Sequence, residues 1–262
     1  VCRKLLLRQW LERSSRSGTT TPITTVTATA ATATAAAPAN VVSAASLIIP
    51  SRDMLSEATH YEVMLSKMLR TVPPSQHLQV LCHMTDRSQR TLLHWAASPG
   101  NPESIRIILT LLPESHHLQA ASMADQSQRT VLHWTASSGN LDSIKTILSL
   151  YSESERLQAV NMRDINRNTV LHWATYSGNS DSIKYLLALY PESERLGVVS
   201  TPDIMGMTLL HYTVTASSHN PESIKVILEL LPESQRLHAL SIRDVYDSTV
   251  LHLVRDAHVG DI

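Results

Sequence analysis

The chain has no phenylalanine and only two cysteines and seven glycines in 262 residues. Cys2 and Cys82 lie in different regions, so no disulfide framework can be drawn, which points to a reducing compartment. Charged residues make up 17% of the chain, and the net charge is −1. Residues 1–17 carry five basic side chains and one acidic, and without them the balance falls to −5. No basic stripe is left to hold phosphates, so no nucleic-acid partner is expected. No apolar run reaches the roughly 20 residues that a membrane-spanning helix needs. Val41–Ile49 is short, and Thr, Pro38 and Asn40 before it lower the hydrophobicity. The phosphate-binding and zinc-protease signatures GxGxxG, GxxxxGK[ST] and HExxH are all missing. No catalytic, cofactor-binding or metal-ligating residue is therefore assigned, and the chain is not expected to be an enzyme.

What the chain does have is a repeat. It reads TLLHWAASPGNPESI from Thr91, TVLHWTASSGNLDSI from Thr130, TVLHWATYSGNSDSI from Thr169 and TLLHYTVTASSHNPESI from Thr208, then TVLHLV from Thr249. His94, His133, His172, His211 and His252 follow at steps of 39, 39, 39 and 41 residues, the odd step coming from two residues inserted around Ser217 to His219. A fixed period in this range marks a solenoid, in which each unit buries its apolar face against its neighbours.

Within a unit the pattern spells a helical hairpin. Thr91 can cap a short apolar helix, and Gly100, Gly139 and Gly178 stand where that helix must end in a left-handed residue. Asn101, Asn140, Asn179 and Asn220 follow as N-caps of a second helix, with Pro102 or Pro221 allowed in its first turn. Ile105, Ile108, Leu109 and Leu112 then form a stripe spaced i, i+3, i+4, i+7. The stripe recurs as Ile144/Ile147/Leu148/Tyr151, Ile183/Leu186/Leu187/Tyr190 and Ile224/Ile227/Leu228/Leu231, which predicts one buried helical face.

These units resemble ankyrin repeats. The T-P-L-H-x-A-A-x-x-G-H/N core of that family matches Thr91 to Asn101 and the later copies, and its V-N-x-x-D arm matches Val160, Asn161 and Asp164. The resemblance covers residues 55–262 and implies an all-α solenoid that binds another protein through turn tips and a concave face. Three departures stand out. Leu92, Val131, Val170, Leu209 and Val250 replace the proline of the family. The hairpin-turn glycine survives only as Gly206, with Gln89, Gln128, Arg167 and Asp247 elsewhere, which predicts reshaped turns. The units also exceed the usual length of about 33 residues. The surplus lies in PESHHLQAA, SESERLQAV, PESERLGVV and PESQRLHAL, which predict an extra short helix per repeat. Such lengthened units resemble ankyrin proteins of intracellular bacterial pathogens.

The expected organisation is a basic N-terminal segment and Thr/Ala-rich linker at 1–53, then the repeat domain at 54–262. Within that domain a half-repeat cap is expected at 55–85, full repeats at 86–124, 125–163, 164–202 and 203–243, and a truncated one at 244–262. A chain that starts at Val1 and stops before the second helix of its fifth unit is expected to be a piece of a longer protein. A monomer in the cytoplasm is expected, with secretion into a host cell or organelle targeting by the basic start as alternatives. The alternative function is the targeting arm of an effector or enzyme whose catalytic domain lies elsewhere.

Two sets of residues are candidates for partner binding. Trp95, Trp134, Trp173 and Tyr212 directly follow the repeated histidines. They read either as packing between units, which strict repetition favours, or as a binding stripe rich in hot-spot residues. Residues 87–90, 126–129, 165–168, 204–207 and 245–248 change freely inside a constant frame. That variation predicts turns free of packing constraint, with Arg90, Gln128, Arg129, Arg167, Asn168, Met205, Met207 and Tyr246 among their exposed residues. The repeated histidines stand one per unit, about 10 Å apart in stacked helices, too far apart for one zinc ion with ligands at about 2 Å. Each is expected to fasten its own turn.

Overall fold

Helices in this chain end where the code says they must. Gly139 and Gly178 close the first helices of their repeats in the left-handed region, at φ 73° and 74°. Asn140 and Asn179 then accept the N–H of Ser143 and Ser182 at 2.9 and 2.8 Å, capping the next helix as the sequence predicts. The computed structural model describes residues 85–215 and 221–259. The N-terminal segment at 1–53, nearly all of the half-repeat expected at 55–85, and the insertion at 217–219 lie outside the described residues.

Among the described residues thirteen α-helices form three ladders. The first helices of the repeats are α1 (Leu92–Ala97), α4 (Val131–Ser138), α7 (Val170–Ser177), α10 (Leu209–Thr215) and α13 (Val250–Val259). The second helices are α2 (Pro102–Leu111), α5 (Leu141–Leu148), α8 (Ser180–Ala188) and α11 (Pro221–Glu229). The surplus residues fold as α3 (His117–Ser122), α6 (Glu153–Asn161), α9 (Glu192–Val199) and α12 (Glu233–Ser241), the extra helix the sequence predicts. Each first helix packs on the next first helix, and each second helix on the next second helix, so the described residues form an all-α solenoid of ankyrin-like helical repeats. The predicted stripe forms one side of the core, with Ile224 and Leu228 half-buried, and the first-helix residues such as Leu93, Leu132 and Leu171 form the other. Ile105, Ile108, Ile144, Ile147, Ile183, Leu186, Leu187 and Ile227 are wholly buried.

Each extra helix is tied to the helix before it by one side chain. Nε of Arg156 donates to the carbonyl of Leu148 at 3.2 Å, Arg195 to that of Tyr190 at 3.2 Å and Arg236 to that of Leu231 at 3.1 Å. In the first repeat His117 Nε2 lies 2.7 Å from the Leu109 carbonyl. These groups satisfy carbonyls that a helix end leaves open, and a cation there also suits the helix dipole. The tyrosines of the stripe reach back one repeat, Tyr190 donating to Asn161 Oδ1 at 2.8 Å.

The turns correct one expectation. Gln89, Gln128, Arg167 and Asp247 adopt φ of 58°, 59°, 64° and 63°, beside 70° for Gly206. The turns therefore keep the left-handed residue without glycine. A residue with a Cβ is strained there, and a β-branched one most of all. Gln128→Val is expected to cost about 1–3 kcal/mol in urea unfolding, and Gln128→Gly less than about 1 kcal/mol. Equal costs would show that the turn relaxes out of the left-handed region.

Candidate functional site

Each variable turn is organised by an aspartate that precedes it: Asp86, Asp125, Asp164, Asp203 or Asp244. Its Oδ1 accepts two backbone N–H groups, two and four residues on. For Asp125 these are Ser127 at 2.8 Å and Arg129 at 3.0 Å, and for Asp203 they are Met205 at 2.7 Å and Met207 at 2.8 Å. This is the carboxylate's usual way of imitating a backbone turn. The turns are also zipped to one another. The N–H of Gln126 donates to the Ser88 carbonyl at 2.8 Å, Ile165 to Ser127 at 2.9 Å, Ile204 to Asn166 at 3.1 Å and Val245 to Met205 at 3.0 Å. The repeated aspartate was the signal that sequence reasoning passed over, apart from Asp164 in the arm motif.

The fourth variable residue of each turn points inward. Arg90 and Arg129 are buried, as are Asn168 and Met207, contrary to the expectation that these positions are free of packing. Arg90 is paired with Asp86 at 2.6 Å, and Arg129 with Asp125 at 3.0 Å. Each guanidinium lies between two indoles: Arg90 is 4.0 Å from the Trp95 ring and 5.7 Å from that of Trp134. Arg129 is 4.4 Å from Trp134 and 5.6 Å from Trp173. The cation gains both a carboxylate and two π-faces, which offsets its loss of water.

Burial also answers the question of the aromatic ladder. Trp134, Trp173 and Tyr212 are buried, and only Trp95 is half-exposed. Nε1 of Trp134 donates to Asp125 Oδ2 at 3.2 Å and Nε1 of Trp173 to Asp164 Oδ2 at 3.0 Å. The Tyr212 hydroxyl donates to Asp203 Oδ2 at 2.9 Å and lies 2.7 Å from Asn168 Oδ1. Burial raises the carboxyls of Asp164 and Asp203 above the usual carboxylate range and pushes the Tyr212 phenol well up. These rings are inter-repeat packing rather than an open stripe.

The histidines are spent in the same way. In His133, Nδ1 faces the N–H and hydroxyl of Thr130 at 3.1 and 2.9 Å, closing a capping box, while Nε2 donates to the Met162 carbonyl at 3.0 Å. His94 reaches the Arg129 carbonyl and His211 the Ser248 carbonyl, so these imidazoles join consecutive repeats and do not merely fasten their own turns. Among the described residues, no group of three His, Cys, Asp or Glu is placed to hold a metal ion.

Burial lowers His94, His133 and His172 to about 4. A depressed imidazole stabilises the fold above its unfolded value of about 6.5, and that stability is lost as pH falls toward 4. Asp164 and Asp203, being raised, favour the fold at acid pH and oppose this. Stability is expected to fall between pH 7 and pH 5 by roughly 2 kcal/mol per imidazole, read from urea midpoints. A flat profile would mean that the histidines charge inside the fold.

What the turns leave outside is the second to fourth residue after each aspartate's position is counted as the first. Arg87, Gln89, Gln126, Gln128, Ile165, Arg167, Ile204, Val245, Tyr246 and Asp247 are exposed, and Met205 is half-buried. Of the candidate binding residues, Gln128, Arg167 and Tyr246 thus lie fully on the surface, with Trp95 and Met205 partly so. Among the described residues, no helix is long and apolar enough to cross a membrane.

The family of ankyrin repeats (3 copies) matches residues 75–155 and 106–196. No curated protein matches the chain.

Proposed function

We propose that the ankyrin-repeat solenoid of this chain is a recognition scaffold whose exposed turn residues bind a partner protein. Ankyrin repeats are in general protein-interaction modules, which supports the reading. The observation that carries it is a division of labour within each turn. The aspartate, the threonine, the histidine and the inward fourth residue are consumed by the frame, whereas the residues between them change from repeat to repeat and are largely exposed. Variation on an otherwise constant scaffold gives each turn its own identity, and loops held by a rigid frame commonly carry binding.

Changing Gln126, Ser127 and Gln128 together to Ile, Asn and Arg, the residues of the next turn, is expected to alter capture of partner proteins by the full chain. Its melting temperature is expected to hold within a few degrees. Arg129 stays untouched in this variant because it is buried and paired. Capture that ignores the turn change and disappears with Glu192→Lys in α9 would place binding on the extra helices.

A further inference from the structure

The turns and the extra helices expose opposite charge. Along the turns the exposed ionic side chains are Arg87, Arg163 and Arg167, while the exposed Arg243 and Asp247 are paired with each other at 2.8 Å. Along the edge built by the extra helices, Glu114, Glu153, Glu155, Glu192, Glu194 and Glu233 are exposed, while Arg156, Arg195 and Arg236 turn inward onto helix carbonyls. The separation is a product of the fold, since the sequence alternates both signs along each repeat.

The turn edge also carries an apolar rail. Ile165, Ile204, Val245 and Tyr246 are 60%, 44%, 59% and 51% exposed, four of the large apolar residues that this molecule leaves in water. Three of them hold the same position, directly after the organising aspartate, and each donates its own N–H to the preceding turn. The rail is thus a consecutive row. In the first two repeats that position holds Arg87 and Gln126, so the edge runs from polar to apolar along the stack. Rungs in stacked helices stand about 10 Å apart. Three residues of a polyproline II chain, one full turn that returns the side chain to the same face, advance about 9 Å.

Resting on the recognition role proposed above, we infer that the turn edge of the third to fifth repeats binds an acidic peptide segment in the polyproline II conformation with an apolar residue at every third position. Its apolar side chains seat on Ile165, Ile204 and Val245/Tyr246, and its carboxylates face Arg163 and Arg167. The charge of the edge selects an acidic segment, and the rung spacing selects the period.

The test is to pan a displayed library of random linear peptides against the full chain and resynthesise the enriched sequences. They are expected to share apolar residues three apart with Asp or Glu between, and to bind less well as salt rises. Ile204→Ser and Arg167→Glu, both at exposed positions, are each expected to weaken them by about tenfold or more, with melting temperature unchanged. Enriched peptides that bind both variants normally and fail on Glu192→Lys/Glu194→Lys would overturn this inference and leave the scaffold reading standing on another edge. An empty selection would also overturn it, and the scaffold reading falls with it only if partner capture ignores the turn changes as well. Sedimentation showing self-association that Ile204→Ser disperses would assign the rail to a second copy and exclude the peptide.

Discussion

Asp125→Ala is expected to lower the unfolding free energy by about 3–5 kcal/mol, the cost of breaking a buried ion pair from one side. The carboxylate serves four donors at once. Oδ1 takes the N–H groups of Ser127 and Arg129, and Oδ2 takes Arg129 and the indole of Trp134. Removing it leaves a guanidinium that is 4% exposed without its counter-charge, and two turn amides without an acceptor. Most of the loss comes from the charge left behind. Arg129→Met on the Asp125→Ala background is therefore expected to recover part of it, since methionine fills the slot between Trp134 and Trp173 without needing a partner. Urea unfolding of the two single variants and the double closes the cycle. Strict additivity would show that the pair is not coupled and that the turn is held by its backbone zipper alone.

Leu148→Ala is expected to cost about 2–5 kcal/mol, and Ile144→Ala a similar amount, as truncations that leave a cavity. Both side chains are at most 1% exposed and lie on α5, which packs against α2 and α8. A central helix of a solenoid serves two interfaces, so one truncated side chain weakens both neighbours. Ile165→Ser is the contrast: an isoleucine with 60% of its surface in water should change stability by less than about 0.5 kcal/mol. If all three variants melt alike, the stripe on α5 is not the core.

The hairpin and its caps were legible because the forces behind them are local. A threonine followed by histidine three residues on, a glycine at the left-handed stop and an asparagine before the second helix each act within one turn of chain. The extra helix was legible for the same reason, although Pro191 and Pro232 sit at its N-cap and not inside its first turn. The reshaping expected of the turns did not occur, because the aspartate's two hydrogen bonds and the bond to the next turn hold Gln128 and Arg167 in a left-handed conformation that their side chains disfavour.

The histidine illustrates the boundary between local and distant. Its bond to the threonine three residues earlier follows from spacing, but the bond of His94 to the Arg129 carbonyl, 35 residues on, exists only when the next repeat is in place. Arginine misleads more. In a sequence, a variable Arg at a turn reads as exposed, because an isolated cation belongs in water.

By itself, then, the chain determined the period, the helix pair with its added helix, the caps and the apolar stripe, since each depends on neighbours within a few residues. Only the stacking of repeats decided that Arg90 and Arg129 lie between indoles, that Trp134, Trp173 and Tyr212 are closed off, and that Ile165, Ile204 and Val245 stay outside in a row. The reason is that a slot able to bury a guanidinium needs a carboxylate and a ring from one repeat and a second ring from the next. No single stretch of sequence contains all three.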